Sequence, residues 1–365
     1  MTLTETTTAT VTATTTELDE ELVEAFAMKV VGDRAHAYNS VLVYLGDRLG
    51  IWSALASVPS ATSAELAGRT GLAERYLREW LSAQAAAGYL RYDPRARTFT
   101  LPAEHAAVLA DDASPVALVA GYEVTAAIWS GIERLAHAFA TGEGIGWHEQ
   151  DPRLFTGIER LFRPLYTASL VQQWLPAVDG LVARLQDGIR VIDVGCGLGT
   201  ATLHMAQAFP ASDFVGVDYH AESIRRAAYA AERAGVPNVR FEQVSAVGFE
   251  DGYDLICYFD ALHDMGDPVA ALRHARAGLA EGGVVFAVEP GAEDHLEQNL
   301  HPLGLTWYAA STTLCVPGSL SQDGQAALGA QAGADQLLEV FDAAGFAVAR
   351  EVARTPFNIV LEARG

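Results

Sequence analysis

The sequence predicts an α/β protein: a doubly wound, mainly parallel sheet in the C-terminal half, preceded by a smaller, mainly helical domain. Three observations carry this. Short apolar runs at 190–194, 213–218, 239–244, 253–259 and 283–288 alternate with helical patterns at 199–209, 221–234 and 267–279, the pattern of parallel strands joined by crossover helices. The first run leads into three glycines at alternate positions, Gly195, Gly197 and Gly199, and then into a helix. Before residue 187 helical periodicity prevails, interrupted by a hairpin-like stretch.

Length and composition bound the function. A chain of 365 residues has room for two domains and a sizeable core. Its 46 acidic against 24 basic residues give a formal charge of -22, which opposes binding to nucleic acid or an anionic membrane. No run is long and charge-free enough to cross a bilayer, and the N-terminus lacks the basic and apolar segments of a signal peptide. Cys196, Cys257 and Cys315 lie far apart, which suggests reduced thiols in a cytoplasmic protein and no metal.

In chain order, residues 1–16 are threonine-rich without helical period and read as a disordered tail. Residues 17–110 follow as one unit. Leu18 to Ala56 is helical, with the apolar stretch Ser40–Trp52 broken near Gly50. Ser63 is placed to cap the next helix, a turn at Gly71 leads to another from Glu74, and Arg91–Leu101 reads as a short hairpin. Helix, turn, helix and β wing make a winged helix. Arg75, Arg78, Arg91, Arg95 and Arg97 are candidate phosphate contacts, but Glu65, Glu74, Glu79 and Asp93 interrupt them, which favours a structural or dimerisation domain. Residues 111–186 read as a helical linker and lid, with a loop at Thr141–Trp147 and the side chains Phe162, Arg163, Tyr166 and Trp174. These aromatics suit either a pocket cover or interdomain packing.

Residues 187–365 hold the chemistry. Glycines let the backbone turn sharply against a ligand, and the helix start offers free N–H groups. Asp218, at the end of the second strand, stands where nucleotide-binding sheets place an acid for ribose hydroxyls. The turn is Gly-x-Gly-x-Gly, whereas a dinucleotide fingerprint puts its last small residue at Thr200. His263 lies one turn past the fourth strand and Glu289 at the end of the fifth, both at the carboxyl edge where ligands bind. A glutamate there can orient an imidazole and raise its basicity. The alternative for His263 is a capping or packing histidine; Asp264 and Asp267 read as caps of the helix that follows.

The glycine turn followed by Asp218 resembles the class I S-adenosylmethionine (SAM) dependent methyltransferases. That resemblance implies a Rossmann-like sheet with an antiparallel last strand, which the helix at 335–345 and the strand-like runs at 346–353 and 357–363 suit. It implies that Asp193, Gly195, Cys196 and Gly197 hold the methionine end of SAM. Asp218, with Tyr219 and His220, takes the ribose; Ser245 and Ala246 flank the adenine; Phe259 and Asp260 border the site. Leu262-His263-Asp264 resembles the general-base motif of plant-type small-molecule O-methyltransferases, with Glu289 as its flanking acid and Met265 in place of the usual tryptophan. More of the chain resembles the actinobacterial winged-helix methyltransferases of mycobacterial type, through Phe214–His220, Asp260–Pro268, Ser319–Gln322 and Pro356–Arg364.

The resemblance implies a homodimer, and SAM as cofactor with S-adenosylhomocysteine as product, without fixing a substrate; the apolar, aromatic lid points to a small, largely apolar, aromatic acceptor. Tyr166, Asn299, His301, Trp307 and Tyr308 are the candidate acceptor contacts. O-methylation is favoured because His263 offers a base. C- or N-methylation, including that of a keto acid, stays open; a His263–His301 iron pair is not favoured. The rivals are a winged-helix regulator with a SAM-sensing domain and a nicotinamide-dependent oxidoreductase.

Overall fold

The computed structural model describes residues 18–365, so the tail expected at 1–16 lies outside the described residues. The chain opens with a 29-residue helix, α1 (Glu20–Arg48), capped by the Asp19 carboxylate, which accepts from the N–H groups of Glu21 and Leu22. Gly50, at φ 67°, breaks it and starts α2 (Ile51–Ala56). Helices α3 (Ser63–Thr70) and α4 (Glu74–Ala86) then precede a two-stranded wing, β1 (Arg91–Asp93) and β2 (Thr98–Thr100). The cap of α3 is Thr62, one residue before the expected Ser63. Thr62 and Glu65 form a reciprocal capping box, and the Ser63 hydroxyl instead donates to Glu74.

This unit has its own core of Val43, Trp52, Leu66, Leu77, Trp80 and Phe99. The two indoles meet edge to face at 4.7 Å. Both lie against Gly46, where an added Cβ falls 2.6 Å from each ring, and each donates its N–H to a carbonyl of α1, at Val43 and Leu42. A long, mostly exposed helix is thereby held by two tryptophans rather than by an apolar stripe of its own.

Helices α5 (Ala103–Leu109), α6 (Gly121–Ser130), α7 (Ile132–Thr141), α8 (Pro152–Ser169) and α9 (Leu181–Asp187) connect the two halves. The catalytic half contains β3 (Arg190–Val194), α10 (Thr200–Ala208), β4 (Asp213–Asp218), α11 (Ala221–Ala234), β5 (Val239–Gln243), β6 (Tyr253–Phe259), α12 (Pro268–Gly278) and β7 (Leu279–Pro290). It ends with α13 (Pro302–Ala310), α14 (Val316–Leu320), α15 (Ala334–Ala343), β8 (Val348–Arg354) and β9 (Asn358–Arg364). The seven strands lie in the order β5-β4-β3-β6-β7-β9-β8. Pairings from β5 through β7 are parallel, and β9 runs antiparallel to both β7 and β8. The sheet is therefore Rossmann-like with an antiparallel last strand.

Alternate residues of the central strands feed two cores. Ile192, Ile256 and Tyr258 pack with Leu337 and Phe341 on one face; Val191, Leu255 and Cys257 pack with Leu181 and Met205 on the other. The strand order reverses between β3 and β6, which opens the crevice at their carboxyl ends.

Arg160 ties α8 to the N-terminal unit and α6. Its guanidinium reaches Asp47 of α1 at 2.8 Å, Asp112 at 3.0 Å and Glu123 of α6 at 3.3 Å, with 20% of the side chain exposed. Arg160→Met leaves three acids facing one another without a cation. It should lower the free energy of unfolding by about 2 kcal/mol, short of the ~3–5 kcal/mol of a fully buried pair, as measured by urea titration.

Candidate active site

The glycine turn follows β3 directly. Gly195, Gly197 and Gly199 all have left-handed backbone, at φ 77°, 53° and 75°. A Cβ at 195 falls 2.8 Å from Ala261, and one at 199 falls 2.5 Å from Phe241, so both conformation and space require glycine. At 197 an added Cβ meets no atom within 4 Å. The turn lies beside a cavity of about 990 Å³, bordered also by β4, β6, α6, α8 and the segment 305–330.

Four of the cavity's carboxylates, one buried (Asp193) and three half-buried (Asp218, Asp260 and Asp264), each have a distinct setting. Asp193 is 1% exposed; its Oδ2 accepts from the Thr202 hydroxyl at 2.5 Å, while its Oδ1 is buried with no partner. Burial pushes its pKa up to about 7. Asp218 accepts from the Gly197 N–H at 3.0 Å and the His220 N–H at 2.8 Å, and burial raises its pKa above the usual range. Asp260, at φ 49°, is a non-glycine residue in left-handed backbone. It accepts from the Tyr166 hydroxyl at 2.5 Å and from Asn358 at 3.2 Å; burial and the charge of Glu289 push it up to about 7. Asp264 completes the set at the His263 turn.

His263 sits in a short 3₁₀ turn, Leu262–Asp264, and is 4% exposed. Glu289, fully buried, lies beneath it. The Glu289 carboxylate accepts from the Leu262 N–H at 2.9 Å and stands 2.5 Å from Nδ1 of His263. One carboxylate thus caps the turn and orients the ring. Nε2 faces Oδ1 of Asp264 at 3.2 Å, and the Cys315 sulfur is within 4.8 Å of both. Burial lowers the imidazole pKa, but Asp264 and Glu289 outweigh it and hold it well above the usual value. Asp264 is therefore not the expected helix cap; Asp267 is, accepting from the Ala270 N–H at 2.8 Å. With Glu289 on Nδ1, a neutral His263 carries its proton there and presents Nε2 as an acceptor.

Of the residues expected to hold the cofactor, Asp193, Gly195, Cys196, Gly197, Asp218, Tyr219, His220, Ser245, Ala246, Phe259 and Asp260 all line the cavity. His220 stacks on Phe155 of α8 at 4.8 Å, which brings that helix down over the carboxyl end of β4. Tyr166 and Trp307 also line it, as does Phe162. Trp174 is instead packed in the sheet core, and Arg163 pairs with Glu159 at the surface.

Asn299, His301 and Tyr308 do not line the cavity. Buried Asn299 bonds the backbone of Glu293 and His295, stapling its own loop. His301 caps α13 through Nδ1, which accepts from the Gly304 N–H. Tyr308 misses by helix phase: Trp307, Ala310 and Leu314, three and four residues apart, face the cavity, and Tyr308 is on the next face.

Sequence reasoning missed the upper wall, where Val124 and Ile128 of α6 meet Leu314 and Cys315. Its signal was the short apolar run Leu314–Val316, which begins inside a π-helical turn at Ser311–Cys315.

The residues present fit SAM. The partnerless Oδ1 of buried Asp193 awaits a donor, and Asp218 keeps lone pairs free after its two backbone bonds. Residues 185–345 match the Methyltransferase domain family, and residues 37–111 the Rv2258c-like winged HTH domain family. Trans-aconitate 2-methyltransferase of Deinococcus radiodurans is 32% identical over 30% of this chain and 42% of its own length. Ubiquinone biosynthesis O-methyltransferase of Paracidovorax citrulli is 32% identical over 35% of this chain and 53% of its own. The chain thus spans about half the length of the curated relatives it matches.

Likeness to solved structures runs over nearly the whole chain. Mitomycin 7-O-methyltransferase MmcR superposes with a TM-score of 0.67 at 21% identity, over 94% of this chain and 100% of that one. An O-methyltransferase family protein of Burkholderia thailandensis gives 0.67 at 16% identity, over 93% and 97%. Human N-acetylserotonin methyltransferase, in complex with SAM, gives 0.64 at 18%, over 93% and 97%. At these identities the likeness speaks to the fold. Residues 185–345 are thus similar to a methyltransferase domain, and residues 37–111 to an Rv2258c-like winged helix-turn-helix domain.

Proposed function

We propose that this protein transfers the methyl group of SAM to a hydroxyl of a small, largely apolar, aromatic acceptor, with His263 as general base and Glu289 as its positioning residue. The observation that carries this reading is the buried His263 at the cavity wall, its Nδ1 held 2.5 Å from the Glu289 carboxylate.

SAM supplies an activated methyl group on a sulfonium, ready for direct displacement. The chain's part is to bind, align and dehydrate. Asp193 receives the ammonium of the methionine end on its free oxygen, beside the backbone of Gly195 and Gly197. Asp218 receives the ribose hydroxyls, and Ser245 and Ala246 flank the base. Helices α6, α8 and α13 close over the acceptor and exclude water. The acceptor hydroxyl gives its proton to Nε2 of His263, and the imidazolium so formed lies between Glu289 and Asp264. The His263→Ala experiment described in the Discussion tests this assignment.

The N-terminal domain is proposed to pair two copies. Among the described residues α1 buries Asn39, Val43 and Gly46 and leaves Leu22, Phe26, Val31, Tyr38 and Val41 exposed, Phe26 at 66%. The charges of α4 favour pairing over DNA binding, since Arg75 is bound to Glu79 at 2.6 Å and Arg78 to Glu74 at 2.7 Å. Light scattering should give a dimer mass, and Phe26→Glu with Val31→Glu a monomer. A monomeric wild-type protein overturns the pairing.

A further inference from the structure

We infer that the acceptor is uncharged and multi-ring, and that the cavity rejects aromatic acids. This rests on the methyl-transfer reading and says which acceptors that site takes.

Charge comes first. Among the described residues no lysine or arginine lines the cavity. Six acids do: Glu159, Asp193, Asp218, Asp260, Asp264 and Asp323. Glu289 lies directly behind His263. Arg163 of α8 pairs with Glu159 and offsets that one acid, which leaves five without a basic partner on the wall. SAM suits such a wall, because its carboxylate comes with its own ammonium and the sulfonium leaves it net positive. An acceptor carboxylate brings no such partner. It would have to leave water for a low-dielectric wall of like charge. A keto acid, one of the alternatives open from sequence, meets the same obstacle.

Shape comes second. The outer wall is Val124, Ile128, Trp147, Phe155, Trp307 and Leu314. The hydroxyls among them are already engaged: Thr125, Thr306 and Thr313 each donate to a carbonyl one turn back in their own helices, at 3.0, 3.0 and 2.8 Å. What remains is apolar and aromatic surface with one unpartnered donor among the described residues, the Trp307 indole N–H; such a wall recognises ring faces and at most a single neutral acceptor group. The volume, about 990 Å³, is at the upper end for a ligand site and leaves room for an acceptor of several rings beside the cofactor.

The test uses the full chain saturated with S-adenosylhomocysteine and three probes: 2-naphthol, 3-hydroxy-2-naphthoic acid and its methyl ester. Affinity is read by tryptophan fluorescence at pH 8, and turnover separately with methyl-labelled SAM. The naphthol and the ester should bind at least tenfold more tightly than the acid. Leu305→Arg places a cation at the cavity mouth, on a residue 69% exposed and so tolerant of the change. It should improve binding of the acid at least fivefold and leave the ester unchanged. Equal affinity for acid and ester, or no binding by any of the three, overturns the inference. Discrimination in binding with no methyl transferred to any probe overturns the methyl-transfer reading and leaves the recognition rule standing.

Discussion

His263→Ala should lower turnover by about 10²–10³-fold, the range of a lost general base, and leave SAM affinity within about a factor of two. The cofactor side keeps its supports: Thr202 still holds Asp193, and the Gly197 and His220 N–H groups still hold Asp218. A merely structural histidine would weaken both together. The pH profile separates the roles further. Asp264 and Glu289 raise the imidazole pKa even against burial. A base must be neutral, so kcat/KM should rise with pH along a limb displaced above the ordinary histidine value of about 6.5. Asp264→Asn removes one of the two anions and should shift that limb to lower pH. A limb that stays in place in Asp264→Asn, or an alanine variant with unchanged turnover, rules out the base.

The second large effect concerns cofactor binding. Burial holds Asp193 near pKa 7, only partly countered by the Thr202 hydroxyl. The free enzyme therefore carries this carboxyl partly protonated at neutral pH, whereas an ammonium binds its ionised form. The sign follows: SAM affinity increases as pH rises through 7. If only the ionised form binds, Kd tightens about tenfold between pH 6 and pH 8. Asp260 titrates in the same window, so the variant matters. Asp193→Asn keeps the shape and the Thr202 contact but cannot ionise. It should weaken SAM binding by about 2–3 kcal/mol and flatten most of the pH dependence. Titration calorimetry at three pH values reads both; a wild-type Kd independent of pH contradicts the assignment of Asp193.

These side chains show what a sequence discloses. The positions of Asp193, Asp218, His263 and Glu289 were legible because each lies near or just past the carboxyl end of a strand, and those ends in a parallel sheet converge on one edge. The glycine turn was legible because three left-handed residues leave little chemical choice. Asn299 and His301 were misplaced for a physical reason. A loop asparagine that satisfies backbone groups, and a histidine that caps a helix, have the same polarity in sequence as ligand contacts; only their partners differ. Asp264 was read as a cap because helix starts favour aspartate, yet the 3₁₀ turn swings it against Nε2 of His263. Arg160 gave no signal at all, since its partners lie 37 to 113 positions away.

That arginine sets how the molecule opens. Helix α8 covers the cavity, yet its ionic fastening is to the winged-helix side, through Asp47 of α1 and Glu123 of α6. Toward the sheet it holds on through Tyr166, which donates to Asp260 at 2.5 Å and packs in the core, and through single hydrogen bonds, Thr200 to Glu159 at 3.1 Å and Arg226 to Thr156 at 3.3 Å. The salt-sensitive joint is therefore the one between the cover and the N-terminal domain. Added electrolyte screens the half-buried arginine cluster and loosens the cover from its carrier. Ionic strength should then act on the departure of product, leaving the methyl-transfer step itself, sealed among buried groups, nearly indifferent to it.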